Sequence, residues 1–348
     1  MKKILTLLLL ILHITLYSQQ SIGLSGSYGF LFPHYKKMYN FIEHHPAGLS
    51  LYYENIYLPS DTFQTNKRYR IEAYYTSLGN NEVLGNAYSI LADVYFRIYK
   101  EKIYFFTGSG ISYLTKHCSE DNYRNFAIGS HFNVYVNFGI DLQLYQKKPL
   151  QIDLQLRWNH FSNGSIKMPN AGLNIPSIHL SFGYYNNNNN SKTSHIDSNK
   201  LLQSKYHIFG AYSTKQNIVN NVNYSLYTIG FEYYLTHYDA VQWLIGTDFI
   251  WDNSLPDYVK TKNYDLDKYK AIPLKLSLKG GWDVHIDKID LIFQVGIYLR
   301  NVAFKYQPFY TRFGLRYFFS KNLGAQLSLR SHYAKADAIE WGIVWRGK

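Results

Sequence analysis

The chain has 348 residues, a formal net charge of +12, 18% aromatic residues and 35 tyrosines. That length suits two domains or one large all-β unit. The basic residues are scattered between aromatic stretches with no dense Lys/Arg run, which argues against a nucleic-acid partner and leaves an anionic membrane surface.

Residues 1–20, MKKILTLLLLILHITLYSQQ, have the pattern of a secretory signal peptide. Lys2 and Lys3 form the positive start, Ile4 to Tyr17 the apolar stretch, and Ser18 is a small residue suited to cleavage. The apolar stretch is short for a bilayer helix of about 20 residues, so a cleaved peptide over 1–18 and Sec-type export are expected. No cysteine follows it, so no lipoprotein anchor is expected, and no later apolar run approaches helical membrane-span length.

The body of the chain reads as strands. AGLSLYYENIYL (47–58) and HFNVYVNFGIDLQLY (131–145) are aromatic-rich, and LQIDLQLRW (150–158) alternates apolar and polar residues. LYTIGFEYYL (226–235) resembles the former, and IDLIFQVGIYL (289–299) has Ile289, Leu291, Phe293, Val295, Ile297 and Leu299 in one row and Asp290, Gln294 and Arg300 among the other. Period two means one face in an apolar and one in a polar environment. About sixteen such strands can be counted. Connections after even strands are short (99–102, 146–149, 285–288, 320–322); those after odd strands are mostly longer (32–47, 115–126, 164–175, 252–270). Short turns on one side, long loops on the other and abundant tyrosine predict an all-β antiparallel transmembrane β-barrel with periplasmic turns.

The chain also repeats itself. Residues 95–114 parallel 280–299, 133–161 parallel 308–333, and 47–58 parallel 224–235. Between the halves lies NNNNNSKTSHIDSNKLLQS (186–204), a polar linker in which His195 and Asp197 are read as solvated residues. The expectation is two tandem eight-stranded barrels, 19–185 and 205–348, with one sixteen-stranded barrel as the alternative. An eight-stranded barrel is filled by side chains and is not a pore.

Other features carry little chemistry. His34, His44 and His45 sit in a long outer loop without a third metal ligand at a defined spacing, and no metal or cofactor is expected. The glycines of GNNEVLGN (79–86) and GSG (108–110) are turn or strand residues, since neither stretch opens a helix. Cys118, the one cysteine, is read as an incidental loop residue.

The stretch HFSNGSIKMPNAGLN (160–174) is different. In the strand 150–162, Leu150, Ile152, Leu154, Leu156, Trp158, His160 and Ser162 share one face, while Gln151, Asp153, Gln155, Arg157 and Asn159 share the other. If the polar row lines the lumen, His160 and Ser162 lie on the lipid-facing wall at the outer end of the seventh strand. A serine beside a histidine is the minimum for an activated nucleophile, and placed there it meets a substrate that is itself in the membrane.

H-x-S-N followed by P-N-x-G resembles the signature of the lipid A 3-O-deacylase (PagL-type) family, also called acyloxyacyl hydrolases. The resemblance covers the first half and implies an eight-stranded outer-membrane barrel that acts on lipid A, the lipopolysaccharide anchor of the outer leaflet. It implies Ser162 as nucleophile, His160 as general base, and Asn163 with nearby backbone amides such as Gly164 as oxyanion donors. Pro169, Asn170 and Gly172 would shape the returning loop, and Lys167 would hold a substrate phosphate. The family's acidic triad member falls at Asn174. An Asn holds a tautomer but supplies no negative charge, so the expectation is a Ser-His-Asn variant triad, with an inactive lipid-binding or structural barrel as the alternative. In the second half, LRSHYAKADAIEWGIVWR (329–346), Ala334 stands where the serine would be, His332 falls on the lumen row unless a bulge intervenes, and Glu340 lies near a strand start. That half is read as a copy without chemistry.

Overall fold

The structure is a computed structural model. It describes residues 19–57, 67–100, 102–186, 205–217, 221–235, 241–261, 273–286, 288–301, 308–332 and 335–347. The expected signal peptide, the linker with His195 and Asp197, and Ala334 lie outside the described residues.

The first half forms β1 (Gln19–Gly29), β2 (Ala47–Tyr57), β3 (Lys67–Ser77), β4 (Asn86–Tyr99), β5 (Ile103–Leu114), β6 (Phe132–Lys147), β7 (Leu150–Ser162) and β8 (Leu173–Asn186). These strands run in sequential order and close when β1 pairs antiparallel with β8, Gln20 opposite Asn186 and Gly29 opposite Ser177. The second half forms β9 (Tyr206–Gln216), β10 (Asn223–Tyr234), β11 (Val241–Asp252), β12 (Leu274–Ile286), β13 (Ile289–Arg300), β14 (Phe309–Phe318), β15 (Leu323–His332) and β16 (Lys335–Gly347). It closes separately, β16 against β9, with Trp341 opposite Tyr212. Two rings of eight strands replace the alternative of one ring of sixteen. The repeats match strands eight apart: β2 with β10, β5 with β13, β7 with β15.

Period two is visible in burial. Along β7, Gln151, Asp153, Gln155, Arg157 and Asn159 are buried, while Leu150 and Leu156 are exposed. Along β13, Asp290, Ile292, Gln294 and Tyr298 are buried, while Val295, Ile297 and Leu299 are exposed. The exposed rows of both barrels are Leu, Ile, Phe, Tyr and Trp, which is the outer band of a bilayer-spanning barrel.

Each lumen is packed with charged side chains. In the first, Arg68 and Arg70 bond Glu54, Arg68 also bonds Asp141, and Arg157 bonds Glu72 at 3.0 Å. These side chains are buried, so removing one partner of such a pair costs about 3–5 kcal/mol.

Candidate functional site

The seventh strand delivers the predicted residues to the rim. His160 stands opposite Asn174 in the β7–β8 register, so two residues fourteen apart in sequence become direct cross-strand neighbours. Side chains of such a pair lie within reach of each other. Asn174 Oδ1 lies 2.7 Å from His160 Nδ1. The Asn174 amide is oriented from its other end: Nδ2 donates to His34 Nδ1 at 3.1 Å. With the amide nitrogen on His34, the amide oxygen is the acceptor for His160 Nδ1–H. The imidazole is then held in the tautomer whose Nε2 carries the lone pair. His34 comes from the chain between β1 and β2, beside Phe32, whose ring packs 5.4 Å from Trp158.

Ser162 closes β7, two residues beyond His160. Its hydroxyl makes no hydrogen bond to any described residue. The parity argument puts Ser162 on the exposed row, but the side chain is only 4% exposed. After it the chain turns through Gly164 at φ +63° and Ser165 at φ +68°.

That loop is tied together by the two halves of the sequence motif. Asn170 Oδ1 accepts from the Asn163 backbone N–H at 3.0 Å. Asn163 Nδ2 donates to Ser130 Oγ at 3.0 Å and to the Lys167 carbonyl at 2.7 Å. Asn163 is expected from the sequence to donate to an oxyanion; its backbone and side-chain donors bond Asn170, Ser130 and the Lys167 carbonyl in this structure. The Gly164 N–H makes no hydrogen bond to a described residue. Pro169 follows in the same loop, half-buried. Gly172 has φ +78°, and a Cβ there would lie 2.8 Å from His160 Cε1, so glycine lets the returning chain press against the imidazole. Lys167 is exposed. Burial raises the Cys118 thiol above its ordinary value, although Lys167 pulls the other way, which makes it a poor nucleophile at neutral pH.

Of the loop histidines, His45 Nδ1 lies 3.2 Å from the Gly29 carbonyl, and His34 Nδ1 accepts from Asn174. In the second barrel His332 points inward as the parity requires, its Nε2 2.9 Å from Tyr298 Oη, although the register shifts between Arg330 and Ser331. Glu340 bonds Arg312 and Arg330 in the lumen, which removes it as a carboxylate for the triad.

Residues 39–185 match the family described as lipid A 3-O-deacylase (PagL), and residues 204–348 match that described as acyloxyacyl hydrolase, C-terminal domain. The chain belongs to the lipid A 3-O-deacylase (PagL) family. No curated protein matches it. Among solved structures, that of the outer membrane enzyme PagL aligns with 46% of this chain and 97% of its own, at 18% identity and a TM-score of 0.33. A Rhodopseudomonas blastica porin triple mutant aligns with 94% of this chain and 100% of its own, at 11% identity and a TM-score of 0.21. Family membership joins the first half to deacylase chemistry; the pairing of His160 with Asn174 is a property of this chain.

Two features escape sequence reasoning. His34 lies 140 residues from Asn174, and nothing local marks it. His207, Asp283 and Asp290 cluster inside the second barrel, where no metal-ligand group was expected.

Proposed function

We propose that the first barrel is an outer-membrane serine esterase that removes an ester-linked acyl chain from lipid A. The observation that carries this reading is the His160–Asn174 pair at the outer end of β7, two residues before an unbonded serine, in a chain of the PagL family.

In this mechanism Ser162 Oγ attacks the acyl ester carbonyl and His160 Nε2 takes its proton. Asn174 holds the imidazole through Nδ1, and His34 keeps the Asn174 amide from turning over. The developing oxyanion is met by backbone amides after the serine, Gly164 first among them. His160 then returns the proton to the departing sugar hydroxyl, leaving an acyl-serine. Water, deprotonated by His160, hydrolyses that ester and frees the fatty acid. Asn174 lacks the charge that would stabilise imidazolium, so the rate rests on orientation. Lys167, exposed on the same loop, would hold a lipid A phosphate. Export by the signal peptide over residues 1–18 and residence in the outer membrane complete the reading.

Asn174 in place of a carboxylate, together with the small exposure of Ser162, favours one competing reading: a barrel that binds lipid without cleaving it. Mass spectrometry of lipid A separates the two. Cells carry matched amounts of wild type or Ser162→Ala, with folding checked by heat-modifiable migration. Loss of one acyl chain in the wild type alone is expected. Unchanged lipid A in both, with folded barrels, overturns the esterase reading and leaves the lipid-binding one.

A further inference from the structure

The loop that follows β7 does not group with the strand it leaves. Residues 162–171, together with 118–130, form one compact unit with the second barrel. That unit contains both the Ser162 hydroxyl and the Gly164 N–H.

Two strands of the second barrel reach the loop. β9 ends at Gln216, β16 begins at Lys335, and the two are paired neighbours. Gln216 grips the loop twice. Its backbone N–H donates to the Ser165 carbonyl at 2.9 Å, and its side-chain Oε1 accepts from the Met168 N–H at 2.8 Å. The amide is oriented from its other end, since Nε2 donates to the Asn221 carbonyl at 3.0 Å. With the nitrogen so placed, the oxygen is the atom left for Met168. From β16, the Ala336 carbonyl accepts from Ser165 Oγ at 2.8 Å.

Packing agrees with these bonds. On β16, Trp341, Ile343 and Trp345 form an exposed outward row, yet Ile339 on the same row is only 4% exposed. Gly164 lies against it, so closely that an added Cβ would be 2.2 Å from Ile339 Cγ1. The loop's own bonds tie Asn163 to Asn170 and to the Lys167 carbonyl. Residues 164, 165 and 168 are held from the second barrel instead. The Gly164 N–H is the donor proposed to meet the oxyanion, and such a donor is effective only when it is fixed before the charge develops.

We propose that the second barrel is the seat of this loop and that Gln216 is a positioning residue of the esterase. With Ala336 and Ile339 it fixes residues 164–168 and so aims the Gly164 N–H at the oxyanion. The second barrel contributes no reacting group. This role rests on the esterase reading of Ser162, and it gives a function to a barrel that carries no motif of its own.

The test uses the full mature chain in detergent, with micellar lipid A as substrate and heat-modifiable migration as the check on folding. Gln216→Leu keeps the side-chain size and removes the acceptor for the Met168 N–H. It is expected to lower kcat about tenfold or more with KM little changed, because a displaced oxyanion donor acts on the transition state and not on substrate binding. Gln216→Glu keeps an oxygen for the Met168 N–H and is expected to restore most of the rate, which a general loss of stability would not allow. Deuterium exchange in the peptide spanning 163–171 is expected to quicken in Gln216→Leu and not in Gln216→Glu. Ser165→Ala, which removes the bond to the Ala336 carbonyl and is expected to lower kcat in the same sense, serves where Gln216→Leu does not fold. Wild-type kcat in the folded variant overturns the positioning role and leaves the esterase reading intact. Equal losses in Gln216→Leu and Gln216→Glu overturn it too, since the acceptor oxygen would then not be what matters. A folded wild type that cleaves no lipid A overturns the esterase reading and the positioning role with it.

Discussion

The outer ends of β7–β8 and of β15–β16 are equivalent places in two barrels of the same topology, and they differ in nearly everything that matters for chemistry. In the first barrel ten residues, 163–172, connect the strands; in the second only 333–334 lie between them. The ten-residue connection holds every residue of the motif between Ser162 and Leu173, and it is closed on itself by Asn163, Asn170 and the Lys167 carbonyl. A two-residue connection has no room for such a loop. The histidines differ in the same sense. His160 lies on the outward row and bonds Asn174; His332 turns inward and bonds Tyr298. Both barrels give a histidine at the end of the seventh strand, yet only one presents it beside a serine outside the lumen. The fold is shared, and the proposed activity resides in a loop and in a side-chain direction.

The sharpest way to break this comparison is to remove the histidine from each barrel. His160→Ala is expected to lower deacylation by about 10³-fold or more, since a serine without its base is a weak nucleophile. His332→Ala is expected to leave the rate unchanged and to cost about 1 kcal/mol of stability through the lost Tyr298 hydrogen bond. Lipid A mass spectrometry and denaturant titration of the folded barrels check the pair. Equal loss of activity in both would make the second barrel part of the catalytic unit.

Gly172→Ala comes next. The added Cβ would lie 2.8 Å from His160 Cε1, at a backbone angle of φ +78°. Displacing a general base by about 1 Å costs on the order of 10²-fold in rate. The expected result is a fall in kcat with folding intact, measured on micellar lipid A. A rate equal to wild type would mean that the imidazole does not depend on the loop's return path.

Much of this was legible in sequence. Parity put Gln151, Asp153, Gln155, Arg157 and Asn159 in the lumen, loop lengths separated the two rims, and the eight-strand repeat allowed two rings, all because period two and turn length are local properties. Facing direction along a strand is local as well, which is why His332 could be placed inward. Position around the ring is not local. Nothing near residue 34 tells that the β1–β2 loop reaches Asn174, and nothing in β9 tells that His207 meets Asp283 and Asp290. The partners of the Asn163 donors were not legible for a related reason: Ser130 and Asn170 come from a neighbouring loop and from the far side of the same one.

His34 offers a finer test. It fixes the Asn174 amide by one hydrogen bond, so His34→Ala is expected to lower kcat about fivefold, the equivalent of about 1 kcal/mol, with little change in KM. In an Asn174→Glu background the acceptor oxygens are alike and no amide needs orienting, so the same His34→Ala change should then have no effect on kcat. Persistence of the fivefold loss would assign His34 to lipid binding or to packing of its loop.

The smallest expected effect is the most direct check on why the second barrel is silent. Ala334→Ser, made in a Ser162→Ala background, restores an H-x-S sequence at 332–334. If sequence alone made the site, lipid A would again lose an acyl chain. His332 faces the lumen with its Nε2 on Tyr298, and no ten-residue loop follows it. A serine added there has no base to receive its proton and no returning loop to present amides to an oxyanion. Lipid A from these cells should match that from Ser162→Ala alone. A single lost acyl chain would mean that the imidazole can leave Tyr298 and turn outward, and that the direction of His332 is not what separates the two barrels.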